Sequence, residues 1–242
     1  MCTVTFIPSK DKIYLTSNRD EKHWRAAAVQ PEAYPFSSGR IFFPKDGNAG
    51  GTWFALHENG NAVVFLNGGF IKHEPQPPYR KSRGVILLDL LNSPSPLKEF
   101  ENIDLNNIEP FTAIIWEDGN LTECRWDGQE KYSAKMDVHA PHIWASCTLY
   151  DDEVIAKRKN WFAEWLAKHP EPTQDEILHF HVFTGDGDAH NDLVMNRDGK
   201  VFTVSVTSAA IDSTGAVMQY LDTQKNIQSE RNFDFINATI KA

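Results

Sequence analysis

The chain has few cysteines and no long apolar run. Cys2, Cys124 and Cys147 are the three cysteines in 242 residues, an odd number without the spacing of a disulfide framework. No segment approaches the ~20 apolar residues of a membrane span, and the first residues lack the basic-then-apolar pattern of a secretory signal. These absences predict a cytoplasmic protein with no membrane span.

Positive charge is also scarce. The chain carries 24 Lys and Arg against 33 Asp and Glu, a formal net charge of −9. Because nucleic-acid phosphates are bound by clustered basic side chains, this balance argues against a nucleic-acid partner. Hydrophobic residues make up 41% of the sequence, which is enough to fill a sizeable core. The length suits one domain over residues 1–242.

Turn-forming segments separate apolar or alternating runs along much of the chain, an arrangement typical of antiparallel hairpins. They are Glu58–Asn61, Glu117–Asn120, Asn196–Gly199 and Ser213–Gly215. The sequence therefore predicts mostly antiparallel sheet.

Three helices are predicted between these strands. One covers Ser82–Leu91 with Ser82 as its cap, and a longer amphipathic helix covers Asp151–His169. A third opens at Thr173, where Thr and Glu have the spacing of a capping box. Proline-rich segments such as Pro94–Pro96 are predicted to be loops. Strand pairs interleaved with helices fit an α+β fold of the four-layer αββα kind, although an ordinary α+β sandwich has the same pattern.

The most informative residue is Cys2. Only Met1 precedes it, so removal of the initiator methionine leaves one residue that carries a thiol and a free α-amine. The amine titrates near ~8 and the thiol near ~8.5, so the amine can accept the thiol proton. The same logic activates a threonine by its own amino terminus. Cys2 is therefore a candidate nucleophile; a small apolar residue opening an edge strand is the alternative.

A hairpin brings polar residues toward this candidate. Residues 2–7 and 13–17 are predicted strands joined by a turn at Ser9–Lys12. Antiparallel pairing puts the end of the second strand beside the start of the first, which places Asn18-Arg19-Asp20-Glu21 at the level of Cys2. We expect this tetrad to face the nucleophile; a solvated turn after a strand is the alternative.

Four segments carry a family resemblance. They are the opening MCTVTF, the string NRDE at 18–21, the run GGTWFALHENGNAVVFLNGG at 50–69, and SRG at 82–84. They resemble the NRDE family, also called the transport-and-Golgi-organisation family. They are more distantly similar to choloylglycine hydrolases and penicillin V acylases, which are N-terminal-nucleophile (Ntn) amidases with a four-layer αββα sandwich. The resemblance implies that Cys2 is the nucleophile, that Asp20 orients or hydrogen-bonds its amine, and that Asn67 falls where an oxyanion-hole amide is expected. The bile-salt enzymes carry their arginine two positions earlier than Arg19, so Arg19 should point differently; our own hypothesis is that it helps Asp20 to fix the amine.

Further residues are candidates for substrate binding. The bile-salt enzymes carry a second oxyanion asparagine, and the nearest match to its surroundings is Ser146-Cys147-Thr148, where Cys147 is a poor hydrogen-bond donor. Their late arginine has no counterpart at 204–207. Arg83, with Arg80 and Lys81 at the start of a helix, can receive an anionic group; a solvated basic turn is the alternative that the pattern favours. Asn18 belongs to the polar tetrad, and the Trp53–Phe54 pair can wall a pocket or pack in the core.

No metal or cofactor is expected. The histidines and cysteines lack the spacing of a zinc site, and the acidic segment 186–192 does not follow the calcium-loop pattern. Two functions remain. The protein is either an amidohydrolase acting on a non-peptide C–N bond of a small acyl-amide, or a non-catalytic carrier of an amphipathic ligand such as haem or an acyl lipid. The sequence carries no indication of the oligomeric state.

Overall fold

The computed structural model describes residues 3–25 and 27–236, so Cys2 lies outside the described residues. Fourteen strands are found in this part of the chain: β1 (Thr3–Pro8), β2 (Ile13–Lys22), β3 (Val29–Phe36), β4 (Gly39–Lys45), β5 (Phe54–His57), β6 (Ala62–Asn67), β7 (Phe111–Glu117), β8 (Asn120–Trp126), β9 (Lys131–Met136), β10 (His142–Ala145), β11 (Asn196–Arg197), β12 (Val201–Ile211), β13 (Gly215–Asp222) and β14 (Ile227–Asp234). The helices in the same part are α1 (Arg83–Leu91), α2 (Pro96–Asn102), α3 (Asp152–Lys168) and α4 (Gln174–Phe183).

The strands form two antiparallel sheets. The first has the order β10-β1-β2-β12-β13-β14, with β11 beside β12, and the second runs β3-β4-β5-β6-β7-β8-β9. Helices α3 and α4 pack on the first sheet, and α1 and α2 pack on the second. The layers are therefore helix, sheet, sheet, helix, and the predicted four-layer αββα arrangement is confirmed.

Side-chain alternation along the central hairpin separates its two faces. Val4, Phe6 and Leu15 belong to the large core between the sheets. Ile7 and Tyr14 belong instead to a cluster with side chains of α3 and α4. Because successive strand residues point to opposite faces, each position on β1 and β2 is assigned either to the space between the sheets or to the helix side.

Most of the predicted elements are present. Each of the four predicted turns joins two strands, and each of the three predicted helices is formed. Ser82 and Asp151 cap their helices, and Thr173 makes both hydrogen bonds of a capping box. The loop predicted at Pro94–Pro96 is wrong at its last residue, because Pro96 is the first residue of α2, where proline needs no N–H partner.

Candidate functional site

A pocket of about 310 Å³ opens between the two sheets. Arg19 of β2 lines one side of it, and Trp53 and Asn67 line the other. The start of α1 closes a third side through Arg83 and Gly84. Since β1 begins at Thr3, which pairs with Asn18, the pocket lies at the end of the sandwich where the described chain begins.

The NRDE string lies inside a strand rather than in a turn. β2 continues to Lys22, and Asn18, Arg19 and Asp20 are each at most 3% exposed. Alternation sends Arg19 toward the pocket, whereas Asn18 and Asp20 contact residues on the helix side of the first sheet. The structure therefore divides the predicted tetrad between two faces.

Arg19 is held by a group of buried ion pairs. Its Nη2 atom lies 2.5 Å from Asp46 and 3.5 Å from Glu21, and Arg25 pairs with the same two carboxylates. The guanidinium also lies 4.5 Å from the ring centre of Trp53. These contacts fix the position of a positive charge in the pocket wall.

The surroundings of Asp46 stabilise its charged form, which pairs with Arg19. Its carboxylate accepts backbone hydrogen bonds from Asn48 at 3.0 Å and Ala49 at 2.7 Å. Burial by itself raises the pKa of Asp46, but the hydrogen bond from Ala49 and the charges of Arg25 and Arg19 outweigh it, and the pKa lies below its usual value. Asp46 is therefore a carboxylate at neutral pH.

Asp20 is buried on the helix side with two hydroxyl donors. Tyr150 Oη donates to Oδ2 at 2.7 Å, and Thr203 Oγ1 donates to Oδ1 at 2.5 Å. Thr203 lies where β12 shifts register against β2. A carboxylate has about four acceptor positions, so these two hydrogen bonds leave room for a further donor.

Asn18 takes part in a separate network. Its Nδ2 donates to the backbone oxygens of His181 at 3.0 Å and Leu193 at 2.9 Å, and its Oδ1 bonds the His181 ring. Burial, and to a smaller extent the charge of Arg158, lower the pKa of His181 to about 3. The predicted substrate-binding residue Asn18 therefore lies outside the pocket lining and fixes α4 to the sheet through a neutral histidine.

Asn67 lies at the end of β6 and lines the pocket. Its backbone oxygen accepts a hydrogen bond from Ser146 Oγ at 2.9 Å, whereas its side-chain amide has no hydrogen bond to another described residue. Cys147 follows Ser146 and packs against Gly68, whose added Cβ would lie 2.5 Å from its Sγ. Cys147 is thus next to Asn67 in space but is not among the pocket-lining residues.

Of the remaining candidate residues, Trp53 and Arg83 line the pocket and Phe54 does not. Trp53 lines the pocket, and its indole N–H has no acceptor among the described residues. Phe54, the next strand residue, is fully buried in the core and is absent from the lining. Arg83 lines the pocket, with Nη2 3.1 Å from Glu109 and Nη1 donating to the Pro110 carbonyl at 3.2 Å. Pairing of Arg83 with Glu109 leaves its charge largely compensated.

Two glycines allow α1 to reach the pocket. A Cβ on Gly51 would lie 2.4 Å from the carbonyl carbon of Gly84, and Thr52 N donates to Gly84 O at 3.2 Å. Only residues without a side chain permit this approach. The contact holds Arg83 beside the segment that carries Trp53 and leads into β5, and it explains why both segments line one pocket.

These sequence and structural features agree with the comparison to known families. The family model described as Transport and Golgi organisation 2 matches residues 1–231. The chain belongs to this family. The resemblance seen in its opening, NRDE and glycine-rich segments is thereby confirmed. A search of curated protein sequences found no significant match.

Solved structures similar to this Transport and Golgi organisation 2 family member include a hydrolase and an amidase. A cysteine-to-alanine variant of the conjugated bile acid hydrolase from Clostridium perfringens has a TM-score of 0.56 at 11% identity, covering 99% of this chain and 98% of that chain. The Caenorhabditis elegans orthologue of N-acylethanolamine-hydrolyzing acid amidase has a TM-score of 0.57 at 11% identity. The match covers 86% of this chain and 92% of that chain. At this identity the likeness shows the fold, which is that of the Ntn hydrolases.

The two described cysteines are poor nucleophiles. Burial, with the charges of Glu101, Glu123 and Glu117, raises the pKa of Cys124 to about 12. Burial also raises the pKa of Cys147, and the charge of Arg125 only partly opposes it. Since the thiolate is the reactive form, neither thiol is activated at neutral pH.

Several residues of the site carry no distinct sequence signal. Asp46 precedes a glycine-rich turn, which marks it only as a turn residue. Tyr150 and Thr203 reach Asp20 from more than 100 residues away in the sequence. Among the described residues, no group of three or more His, Cys, Asp or Glu side chains is arranged to hold a metal. Within 3–25 and 27–236, every helix is too short or too polar to cross a bilayer.

Proposed function

We propose that the protein is an N-terminal cysteine amidohydrolase that cleaves a non-peptide C–N bond in a small acyl-amide. The observation that carries the proposal is the meeting of Arg19 and the unengaged amide of Asn67 in one pocket between the sheets. The pocket adjoins the start of β1, which Cys2 precedes in sequence. Its volume of about 310 Å³ is at the small end of the range of ligand pockets.

The proposed reaction uses the thiol and α-amine of Cys2. The amine takes the thiol proton, and the sulfur attacks the acyl carbon and forms a tetrahedral oxyanion. The C–N bond then breaks as the ammonium returns the proton to the leaving nitrogen, which leaves a thioester. Water, deprotonated by the same amine, hydrolyses the thioester to the carboxylic acid and regenerates the thiol.

The described residues have defined parts in this proposal. Asn67 donates to the oxyanion, because its side-chain amide has no hydrogen bond to any other residue that the structure describes. Asp20 retains acceptor positions for an ammonium. Arg19, held by Asp46 and Glu21, contributes a fixed guanidinium to the pocket wall, with its charge largely compensated by these two carboxylates. Cys147 is close to Asn67, but its weak S–H donor makes no second oxyanion site of ordinary strength.

The alternative function, a carrier of haem or an acyl lipid, calls for a largely apolar cavity. The pocket is instead lined by seven charged side chains, namely Arg19, Glu21, Arg25, Asp46, Lys81, Arg83 and Glu109. A small polar substrate suits this lining better, because even ion-paired side chains lose hydration under an apolar ligand that offers them no hydrogen bonds in return.

The test is a screen of acyl 4-nitroanilides and N-acyl amino acids against untagged protein whose loss of Met1 is verified by intact mass. Cys2→Ala is expected to abolish hydrolysis, because no other described cysteine is activated. The matched control is Cys124→Ala, which removes a buried thiol remote from the pocket lining and should keep full turnover. Saturable binding of haem or a fatty acid without Cys2-dependent turnover favours the carrier function and contradicts the proposal.

A further inference from the structure

Arg158 of α3 is a completely buried arginine whose role the proposed reaction leaves open. Its exposed fraction is 0%, and no carboxylate pairs with it among the described residues. Its Nη2 donates to the backbone oxygens of Asn191 at 3.0 Å and Asp192 at 2.8 Å. An isolated buried charge is costly, so the contacts that hold this arginine indicate where it acts.

The first connection of Arg158 leads to the beginning of β1. Its Nη1 donates to Oγ1 of Thr3, the residue that follows Cys2 in sequence. Thr3 is fully buried and pairs with Asn18 on β2 and Ala145 on β10. Thr3, the first described residue of β1, is thus held by backbone pairing to a strand on each side. Its side chain is held from the helix layer by Arg158.

The second connection leads to Asp20. The guanidinium carbon of Arg158 lies 3.7 Å from the ring centre of Tyr150, close enough for a cation–π contact. Tyr150 Oη donates to Asp20 Oδ2 at 2.7 Å. One buried cation therefore contacts the residue next to the proposed nucleophile and, through one aromatic ring, the carboxylate proposed to hold its amine.

We propose that Arg158 is a positioning residue that sets the geometry between Cys2 and Asp20 by fixing Thr3 and Tyr150 together. The inference rests on the proposed function and adds a residue to it. Arg158 is absent from the pocket lining, so it acts through these two neighbours rather than on substrate. Loss of alignment should lower kcat with little change in KM, because small misplacements of reacting groups cost about 10²-fold in rate.

The test uses variants that remove single contacts. Thr3→Val keeps the shape of the side chain and removes the hydroxyl that Arg158 contacts, while Thr3→Ser restores it. Arg158→Lys keeps the charge but cannot make all of the same hydrogen bonds. Tyr150→Phe keeps the ring under Arg158 and removes the bond to Asp20. Should Arg158→Lys fail to fold, the Thr3 and Tyr150 variants still test the proposal.

Two readouts separate positioning from general stability. The first is the pH profile of Cys2 alkylation by iodoacetamide, read by peptide mapping, which needs no knowledge of the natural substrate. The second is kcat and KM for the best 4-nitroanilide of the screen. We expect Thr3→Val and Arg158→Lys to lower kcat about 10-fold to 100-fold and to move the alkylation midpoint toward that of an ordinary thiol. Thr3→Ser should behave as wild type.

Arg197→Lys is the matched control. Arg197 also lies near the Tyr150 ring, at 5.4 Å, and donates to the Asn191 side chain, but it has no contact with Thr3. Its alkylation profile should match that of wild type. A profile that is unchanged in Thr3→Val, or changed equally in Arg197→Lys, overturns the positioning role and leaves the proposed function standing. Absence of Cys2-selective alkylation in wild type contradicts the proposed function itself.

Discussion

Removal of the Asp46 carboxylate should destabilise the protein by an amount set by burial. Asp46→Ala takes away the 2.5 Å partner of Arg19 and the 3.3 Å partner of Arg25. The Arg19 side chain is only 3% exposed, so water replaces the lost carboxylate poorly. The substitution also leaves two backbone N–H groups of the 46–49 turn without their acceptor.

The size of the stability loss depends on the carboxylate that Arg19 still contacts in Asp46→Ala. Breaking a buried ion pair typically costs about 3–5 kcal/mol. Glu21 stays 3.5 Å from Arg19 and retains part of the interaction, so we expect a loss of about 2–3 kcal/mol. For a protein of this size each kcal/mol lowers Tm by about 2–4 °C. The expected fall in Tm is therefore about 4–12 °C.

The assay is thermal and urea unfolding of wild type, Asp46→Ala and a control. Asp89→Asn serves as the control, because Asp89 pairs with Lys81 at 2.6 Å and their side chains are 33% and 42% exposed, far more than that of Arg19. Its cost should stay below about 1 kcal/mol. Equal losses in the two variants would refute the argument that burial, rather than pairing itself, makes the Asp46 group important.

The Asp46 carboxylate also makes the stability of the protein depend on pH. The pKa of Asp46 is lower in the folded protein than its ordinary value of 3.8, so the unfolded chain binds its proton more readily. The stabilising contribution is complete above the unfolded pKa and is lost as the pH falls through the folded pKa. Wild type should therefore lose more stability than Asp46→Ala when the pH drops below about 4.

Three further outcomes are expected. The pKa of His181 is about 3 in the fold against 6.5 ordinarily, so stability should decrease as the pH falls below about 6.5. Urea midpoints between pH 7 and pH 5 should show a smaller decrease in His181→Gln, and an identical slope would contradict this. Gly51→Ala, which forces a Cβ to 2.4 Å from the Gly84 carbonyl carbon, should cost about 1–3 kcal/mol in the same assay; an unchanged midpoint would show that α1 can retreat freely. Asn67→Ala should lower kcat about 10²–10³-fold for the best 4-nitroanilide with KM nearly unchanged, because an oxyanion donor acts mainly in the transition state. A rise in KM alone would assign Asn67 to substrate binding.

Local signals account for the parts of the fold that the sequence predicted. The capping box at Thr173 and the cap at Ser82 mark helix starts through hydrogen bonds within one turn of chain. Turns such as Glu58–Asn61 likewise depend on a few neighbouring residues. Proline usually breaks regular structure, which predicts a loop at Pro96, yet its first-turn position in α2 is one where the missing N–H costs nothing.

The sequence predicts which residues meet near the start of β1, but not which face of β2 each side chain occupies. The hairpin pattern placed NRDE beside the start of β1, and Thr3 does pair with Asn18. Knowing that β2 extends to Lys22 was needed to see that Arg19 faces the pocket while Asp20 faces the helices. Arg158 had no signal at all, because its partner Thr3 is 155 residues away in sequence and a charged helix residue ordinarily predicts a solvated surface.

Activation of the Cys2 thiol as a nucleophile can be measured directly by brief labelling at pH 7. Untagged protein whose Met1 is removed is treated with substoichiometric iodoacetamide, and the three cysteine peptides are quantified by mass spectrometry. Cys2 is expected to be labelled first, because the pKa of Cys124 is about 12 and that of Cys147 is also raised. Equal labelling of Cys2 and Cys147, or retention of Met1 in the mature protein, would contradict it.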